Sequence, residues 1–175
     1  MVNLTDNYFD LFGIPVAFDL DLGILAERFR RLQQAVHPDK YASASDQERR
    51  ISMQQSTRVN EAYQTLRDPL TRARYLLLLN NAEIKGETHM DPEFLMQQMQ
   101  LREALERTQT SADPVEELIS IGDEVDALYK KLIDELTELF ASGVQENTDA
   151  IKTRVQRLQF INKLKNEISA LEESL

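Results

Sequence analysis

The pair of side chains with the widest chemical reach in this sequence is His37 and Asp39, held two residues apart by Pro38. An imidazole beside a carboxylate can exchange protons, which is the first ingredient of an acid–base site. The other ingredients are missing. The 175 residues include no cysteine and two histidines, His37 and His89, which excludes disulfides, thiolate ligands, a cysteine nucleophile and a His-Glu-x-x-His metal set. Without thiolates the chain has no iron–sulfur ligands of its own. Neither a Gly-x-x-x-x-Gly-Lys-Ser/Thr loop, a Gly-x-Gly-x-x-Gly turn nor a Gly-x-Ser-x-Gly elbow occurs. No catalytic residue, metal or cofactor is therefore expected, and His37, Pro38 and Asp39 read as a loop presented to something else.

The elements that must position this loop are two helices. Leu22, Leu25, Phe29, Leu32 and Val36 recur at helical spacing, so this face should be buried. Pro38 lacks an amide hydrogen and disfavours helical geometry at His37, which ends the run there. A second helix begins after Ser45-Asp46, good caps for free amides, and runs to about Leu66. His37-Pro38-Asp39 then sits at the tip of a helical hairpin. On the solvent side of the first helix lie Glu27, Arg30, Arg31 and Gln34, with Arg28 on the flank. The apolar opening Phe9, Leu11, Phe12, Ile14 is broken by Gly13 and Pro15, and Asp19 or Asp21 can cap the helix that carries Leu25 and Phe29. Asp68-Pro69 starts a further helix through Leu76-Leu77-Leu78-Leu79, a run too apolar for solvent and assigned as a junction between two units.

Composition and charge fix the larger organisation. Five glycines, five prolines and abundant Leu, Glu, Gln, Ala and Arg favour an all-α fold. Residues 1–75 carry ten basic and ten acidic side chains, so of the formal net charge of −10 the whole acidic excess lies beyond residue 75. That split argues for two units and against a nucleic-acid binder, which needs a basic face. No apolar stretch is long enough to span a membrane, and the first residues lack a secretory pattern, so a cytoplasmic protein is expected. A monomer is the expected state. Beyond a connection over 80–91 that includes Gly86 and His89, caps at Asp91-Pro92, Asp113-Pro114 and Asn147-Thr148 mark helices over about 92–109, 114–141 and 149–173, with Gly143 in the last turn. Leu118, Val125, Tyr129, Leu132, Leu136 and Phe140 form one stripe. Ile151, Val155 and Leu158, then Ile161, Leu164, Ile168, Leu171 and Leu175 form its counterpart. Stripes of this spacing predict a three-helix bundle over 92–175.

Within that bundle the helix after Pro92 has an apolar surplus. Phe94, Leu101 and Leu105 suffice for a core stripe, whereas Leu95, Met96 and Met99 fall on another side beside Arg102 and Glu103, and Phe160 points away from its own seam. Exposed methionines suit a binding surface because their flexible side chains adapt to a partner.

Two sets of motifs give these features a family. Tyr8-Phe9-Asp10-Leu11-Phe12-Gly13, the basic helix, His37-Pro38-Asp39 and Asn60-Glu61-Ala62-Tyr63-Gln64-Thr65-Leu66, followed by Arg72 and Tyr75, resemble a J domain over 1–79. Val36 stands where J domains often carry an aromatic residue. Phe94-Leu95-Met96-Gln97-Gln98-Met99-Gln100-Leu101-Arg102-Glu103 and Leu158-Gln159-Phe160-Ile161-Asn162-Lys163-Leu164 resemble the C-terminal domain of the HscB family, in its bacterial form. The resemblance implies a co-chaperone without catalytic activity. Arg28, Arg30, Arg31, His37, Pro38, Asp39 and Lys40 would engage the specialised heat-shock chaperone HscA and stimulate its ATP hydrolysis. Leu95, Met96, Met99 and Phe160, rimmed by Gln100, Arg102 and Glu103, would receive the iron–sulfur scaffold IscU and assist cluster transfer. Gln100 stands where the family often has an acid, so its contact differs. Because exposed charges are screened over roughly 8 Å at physiological ionic strength, chaperone stimulation should weaken steeply with added salt. A flat salt response would contradict steering by these arginines.

Overall fold

The computed structural model describes residues 5–37, 40, 45–84, 91–108 and 110–174, and within them the chain is helical throughout, with no strand. It divides into two compact units, Met1–Leu79 and Asn80–Leu175.

The first unit is built on a helical hairpin. Helix α1 (Tyr8–Phe12) starts where the Asn7 side chain accepts from the amides of Phe9 and Asp10, and stops at Gly13, whose φ of 62° is left-handed. Of the two candidate caps for α2 (Leu22–Val36), Asp21 takes the role, accepting from the amides of Gly23 and Ile24. Helix α3 (Asp46–Arg67) runs back along α2. Val36 meets Ser52, Phe29 stacks on Tyr63 with ring centroids 4.0 Å apart, and the descending and ascending numbers make the pair antiparallel. Leu25 and Val36 are buried against Ser52, Gln55, Val59, Ala62 and Leu66, while Phe29 and Leu32 are half-buried. Leu22, expected on the same face, is 49% exposed because it is the first residue of α2, beyond the reach of the partner helix.

Helix α4 (Pro69–Leu79) follows Asp68, which accepts from the amide of Thr71 at 2.8 Å. The buried Arg72 guanidinium donates to the Leu66 carbonyl at 2.7 Å and lies over the Phe18 ring, so it answers a carbonyl at the end of α3 that the helix leaves open. Tyr75 closes the unit over α1: its ring stacks on Tyr8 at 4.4 Å, and its hydroxyl accepts the Tyr8 amide at 2.9 Å. The reading of Leu76–Leu79 as too apolar for solvent needs correction. Arg72, Ala73, Leu76 and Leu77 are buried, but Leu78 and Leu79 are 46% and 37% exposed, since an eleven-residue helix buries one side.

The second unit comprises α5 (Pro92–Thr108), α6 (Pro114–Ala141) and α7 (Thr148–Glu172). Ion pairs from Arg154 to Glu135 and from Lys165 to Asp126 run across α6 and α7 in opposite numerical order, so these two are antiparallel. Between them Leu118, Ile121, Val125, Leu132 and Leu136 are buried against Ile151, Val155, Leu158, Ile161, Leu164 and Ile168. Tyr129 and Phe140 are at the half-buried margin, and Leu175 lies outside the described residues. Asp91 and Asp113 cap α5 and α6 through the amides of Glu93 and Glu116. Asn147 does not cap α7. With φ −113° and ψ 13° its side chain turns back and donates to the carbonyl of Gly143 at 2.8 Å. Gly143 itself adopts φ 109°, as the turn requires.

At the start of α3, Ser45 and Glu48 cap one another. The Ser45 amide and hydroxyl donate to the Glu48 carboxylate at 2.9 and 2.7 Å, and the Ser45 hydroxyl oxygen accepts the Glu48 amide at 3.3 Å. Hydrogen bonds from the Ser45 hydroxyl and amide hold the carboxyl below its ordinary value of 4.5. A lowered carboxyl pKa contributes stability at neutral pH that is lost as pH falls through the folded value. Ser45→Ala should cost about 1 kcal/mol in denaturant unfolding at pH 7. The gap between wild type and Glu48→Gln should close below the ordinary carboxyl range, and a gap constant into acid would contradict this cap.

Candidate functional site

The loop that carries His37 leaves α2 with a carbonyl to satisfy. His37 comes directly after the last helical residue with φ −61° and ψ 126°, an extended conformation. The Lys40 amide donates to the His37 carbonyl at 3.0 Å. The Val36 carbonyl is taken up across the hairpin by the buried Ser52 hydroxyl at 2.9 Å. Thus α3 holds the end of α2, and His37 emerges exposed from a fixed point. His37, Lys40, Gln33 and Gln34 line a shallow hollow of about 310 Å³. Pro38 and Asp39 lie outside the described residues. Arg28, Arg30 and Arg31 are exposed along α2, with Arg31 paired to Glu27 at 2.5 Å, so Arg28 and Arg30 lead the basic face.

The second group of residues collects on α5. Phe94, Leu101, Leu105 and Thr108 point inward. Leu95, Met96 and Met99 are 45%, 62% and 66% exposed, and Gln100, Arg102 and Glu103 are exposed with them. Phe160 of α7 joins this face. It is half-buried, meets Phe94 edge-to-face at 5.8 Å and lies under the Arg102 guanidinium at 5.9 Å from the ring centroid. The seven residues singled out by the resemblance thus occupy the outer surface of α5 and the adjoining edge of α7.

On the α6 side of α5 is a cleft of about 530 Å³ that no apolar stripe in the sequence announces. Met96 and Gln100 form part of its α5 wall, Leu128 and Lys131 part of its α6 wall, and Ile161 and Arg157 of α7 reach its floor. Arg157 is already engaged: it pairs with Asp91 at 2.7 Å and lies over the Phe94 ring, tying the start of α5 to α7. Phe94, Leu132 and Ile161 belong to the buried stripes, but Met96, Gln100, Leu128, Lys131 and Arg157 lie at helix margins, where no periodic signal marks them.

The division between surface and core on α5 is directly testable. Leu101→Ala should cost roughly 2–5 kcal/mol in thermal or denaturant unfolding, as for a buried leucine. Leu95→Ala and Met99→Ala should fall within about 0.5 kcal/mol of wild type. A large loss of helicity in the latter two would mean that they serve the core.

The geometry now has counterparts. The family model described as the HSCB C-terminal oligomerisation domain matches residues 90–169. The co-chaperone protein HscB homolog of Photobacterium profundum is 43% identical over 170 residues, which cover 96% of this chain and 98% of that protein. The solved structure of the chaperone HscB from Vibrio cholerae superposes with a TM-score of 0.87 at 42% identity, covering 97% of this chain and 99% of that one. The crystal structure of human co-chaperone protein HscB superposes with a TM-score of 0.89 at 30% identity, covering 99% of this chain and 85% of that one. Full-length similarity at this level, on an all-helical J unit joined to a three-helix bundle, places the chain in the HscB family of J-domain co-chaperones of iron–sulfur cluster assembly.

Proposed function

We propose that the chain is an adaptor that holds two proteins at once, presenting the scaffold IscU to the chaperone HscA and stimulating ATP hydrolysis by that chaperone. The observation that carries the reading is the exposure of Leu95, Met96 and Met99 on a helix whose core stripe is already complete. Such side chains gain free energy only when another surface covers them. Covering Leu95, Met96, Met99 and Phe160 contributes at most roughly 1.5–3 kcal/mol each before association costs. The exposed charges of Arg102 and Glu103 add little to affinity and set orientation.

At the other unit the work is electrostatic and positional. Arg28 and Arg30 steer the J unit to an acidic surface of the chaperone, and His37, Pro38 and Asp39 engage it beside that surface. Ser52 supports this contact by fixing the carbonyl from which the loop departs. ATP hydrolysis takes place on the chaperone. The chain supplies differential binding to the state that hydrolyses, which is how a non-catalytic partner shifts a rate. The chaperone then grips the scaffold, which assists release of its cluster to an acceptor, and the adaptor acts in the cytoplasm.

Steady-state ATP hydrolysis by HscA tests this reading. The intact protein should stimulate it, the scaffold should raise that stimulation further, and Asp39→Asn should abolish both effects. Leu95→Ala should retain the stimulation seen without scaffold and lose the increment that the scaffold brings. Absence of stimulation by folded wild-type protein would overturn the proposal.

A further inference from the structure

The charges around the α5–α6 cleft are unevenly satisfied. Arg157 is paired with Asp91, and Glu135 with Arg154 at 2.9 Å. Lys131, exposed on α6 at the cleft wall, makes no ion pair among the described residues. The apolar part of the lining comes from Phe94, Met96, Leu128, Leu132 and Ile161, and Glu93 at the start of α5 also lines the space without an ion pair among the described residues, so the cleft carries one unpaired carboxylate on α5 and one unpaired ammonium on α6. Its volume of about 530 Å³ exceeds what a single inserted side chain fills.

The cleft is also continuous with the exposed face of α5. Met96 and Gln100 belong to both: they stand on the outer surface with Met99 and Glu103, and they line the cleft together with Lys131. A partner seated on Leu95, Met96 and Met99 therefore overhangs the opening. Covering Met96 without entering the cleft would leave apolar surface wet along the seam of the complex, which costs free energy.

We propose that the cleft is a second contact for the scaffold, taking an apolar side chain of that partner together with a neighbouring carboxylate that pairs with Lys131. This inference rests on the scaffold-adaptor reading and extends it from α5 and α7 to α6. Lys131 then serves as a specificity residue. Once covered by the partner, its charge is less screened than on an open surface, and a partner lacking the carboxylate leaves it desolvated and unpaired. Affinity comes from the apolar contacts, and discrimination from Lys131.

The test uses full-length protein and the purified scaffold, with binding measured by titration calorimetry and contacts by methyl NMR. Lys131→Glu should weaken binding by about tenfold, and Lys131→Arg should stay within about twofold of wild type. The methyl signals of Leu128 and Met96 should shift together on addition of scaffold. Leu95→Ala tests the parent reading in parallel. If Leu95→Ala weakens binding while Lys131→Glu does not, and the Leu128 signal stays still, the cleft proposal is overturned and the adaptor reading stands. If neither variant weakens binding, both fail. If sedimentation shows a dimer of this chain that Lys131→Glu dissolves while scaffold affinity is unchanged, the cleft holds a second copy and the proposal is wrong.

Discussion

The seam between α6 and α7 is the constraint that shapes the C-terminal unit. Two long helices carry matched apolar stripes, and in pairing they bury Leu118, Val125, Leu132 and Leu136 against Ile151, Val155, Leu158 and Ile161. Against that pair α5 buries just a narrow stripe, Phe94, Leu101 and Leu105. Every further apolar residue on that helix must face water. Leu95, Met96 and Met99 therefore lie exposed because of a neighbour that is already satisfied, and Phe160 is caught between the two situations. A surface held this way is rigid underneath and adaptable on top, which suits recognition of another folded protein.

In the J unit the governing requirement is different: each carbonyl at a helix end must find a donor. Ser52 answers Val36 at the end of α2, and Arg72 answers Leu66 at the end of α3. Both donors are buried side chains, so the bonds are shielded from competing water. The end of α2 is thereby tied to the facing helix and the end of α3 to the helix that follows it, and the loop beginning at His37 inherits a fixed origin. Polar groups inside this small unit serve position, while Phe9, Phe18, Leu25, Val59, Leu66 and Leu77 form its buried core and the stacked pairs Phe29–Tyr63 and Tyr8–Tyr75 lie half-buried at its margin.

Much of this is legible in the sequence, for identifiable reasons. Helix ends are, because Asp21, Ser45, Asp68, Asp91 and Asp113 are side chains with few other ways to be useful before an apolar run. Asn147 shows the limit of that rule: an amide can donate as well as accept, and here it serves the turn behind it, at the Gly143 carbonyl. The exposed face of α5 is legible because its periodicity exceeds what one buried stripe explains. Leu22, Leu78 and Leu79 mislead because periodicity names a face and says nothing of whether a partner extends far enough to cover it. The Ser52 contact and the cleft beside Lys131 are not legible, since each depends on which margins of different helices meet in space.

If one chain couples two partners, the loop and the α5 surface must act in the same molecule, and trans-complementation tests that requirement. Asp39→Asn protein, expected to hold scaffold, is mixed with Leu95→Ala protein, expected to engage the chaperone, and scaffold-dependent ATP hydrolysis by HscA is followed. The mixture should give no scaffold-dependent increase, whatever the ratio. Recovery of wild-type stimulation from the mixture would contradict coupling within one chain, because the two units would then work without being joined.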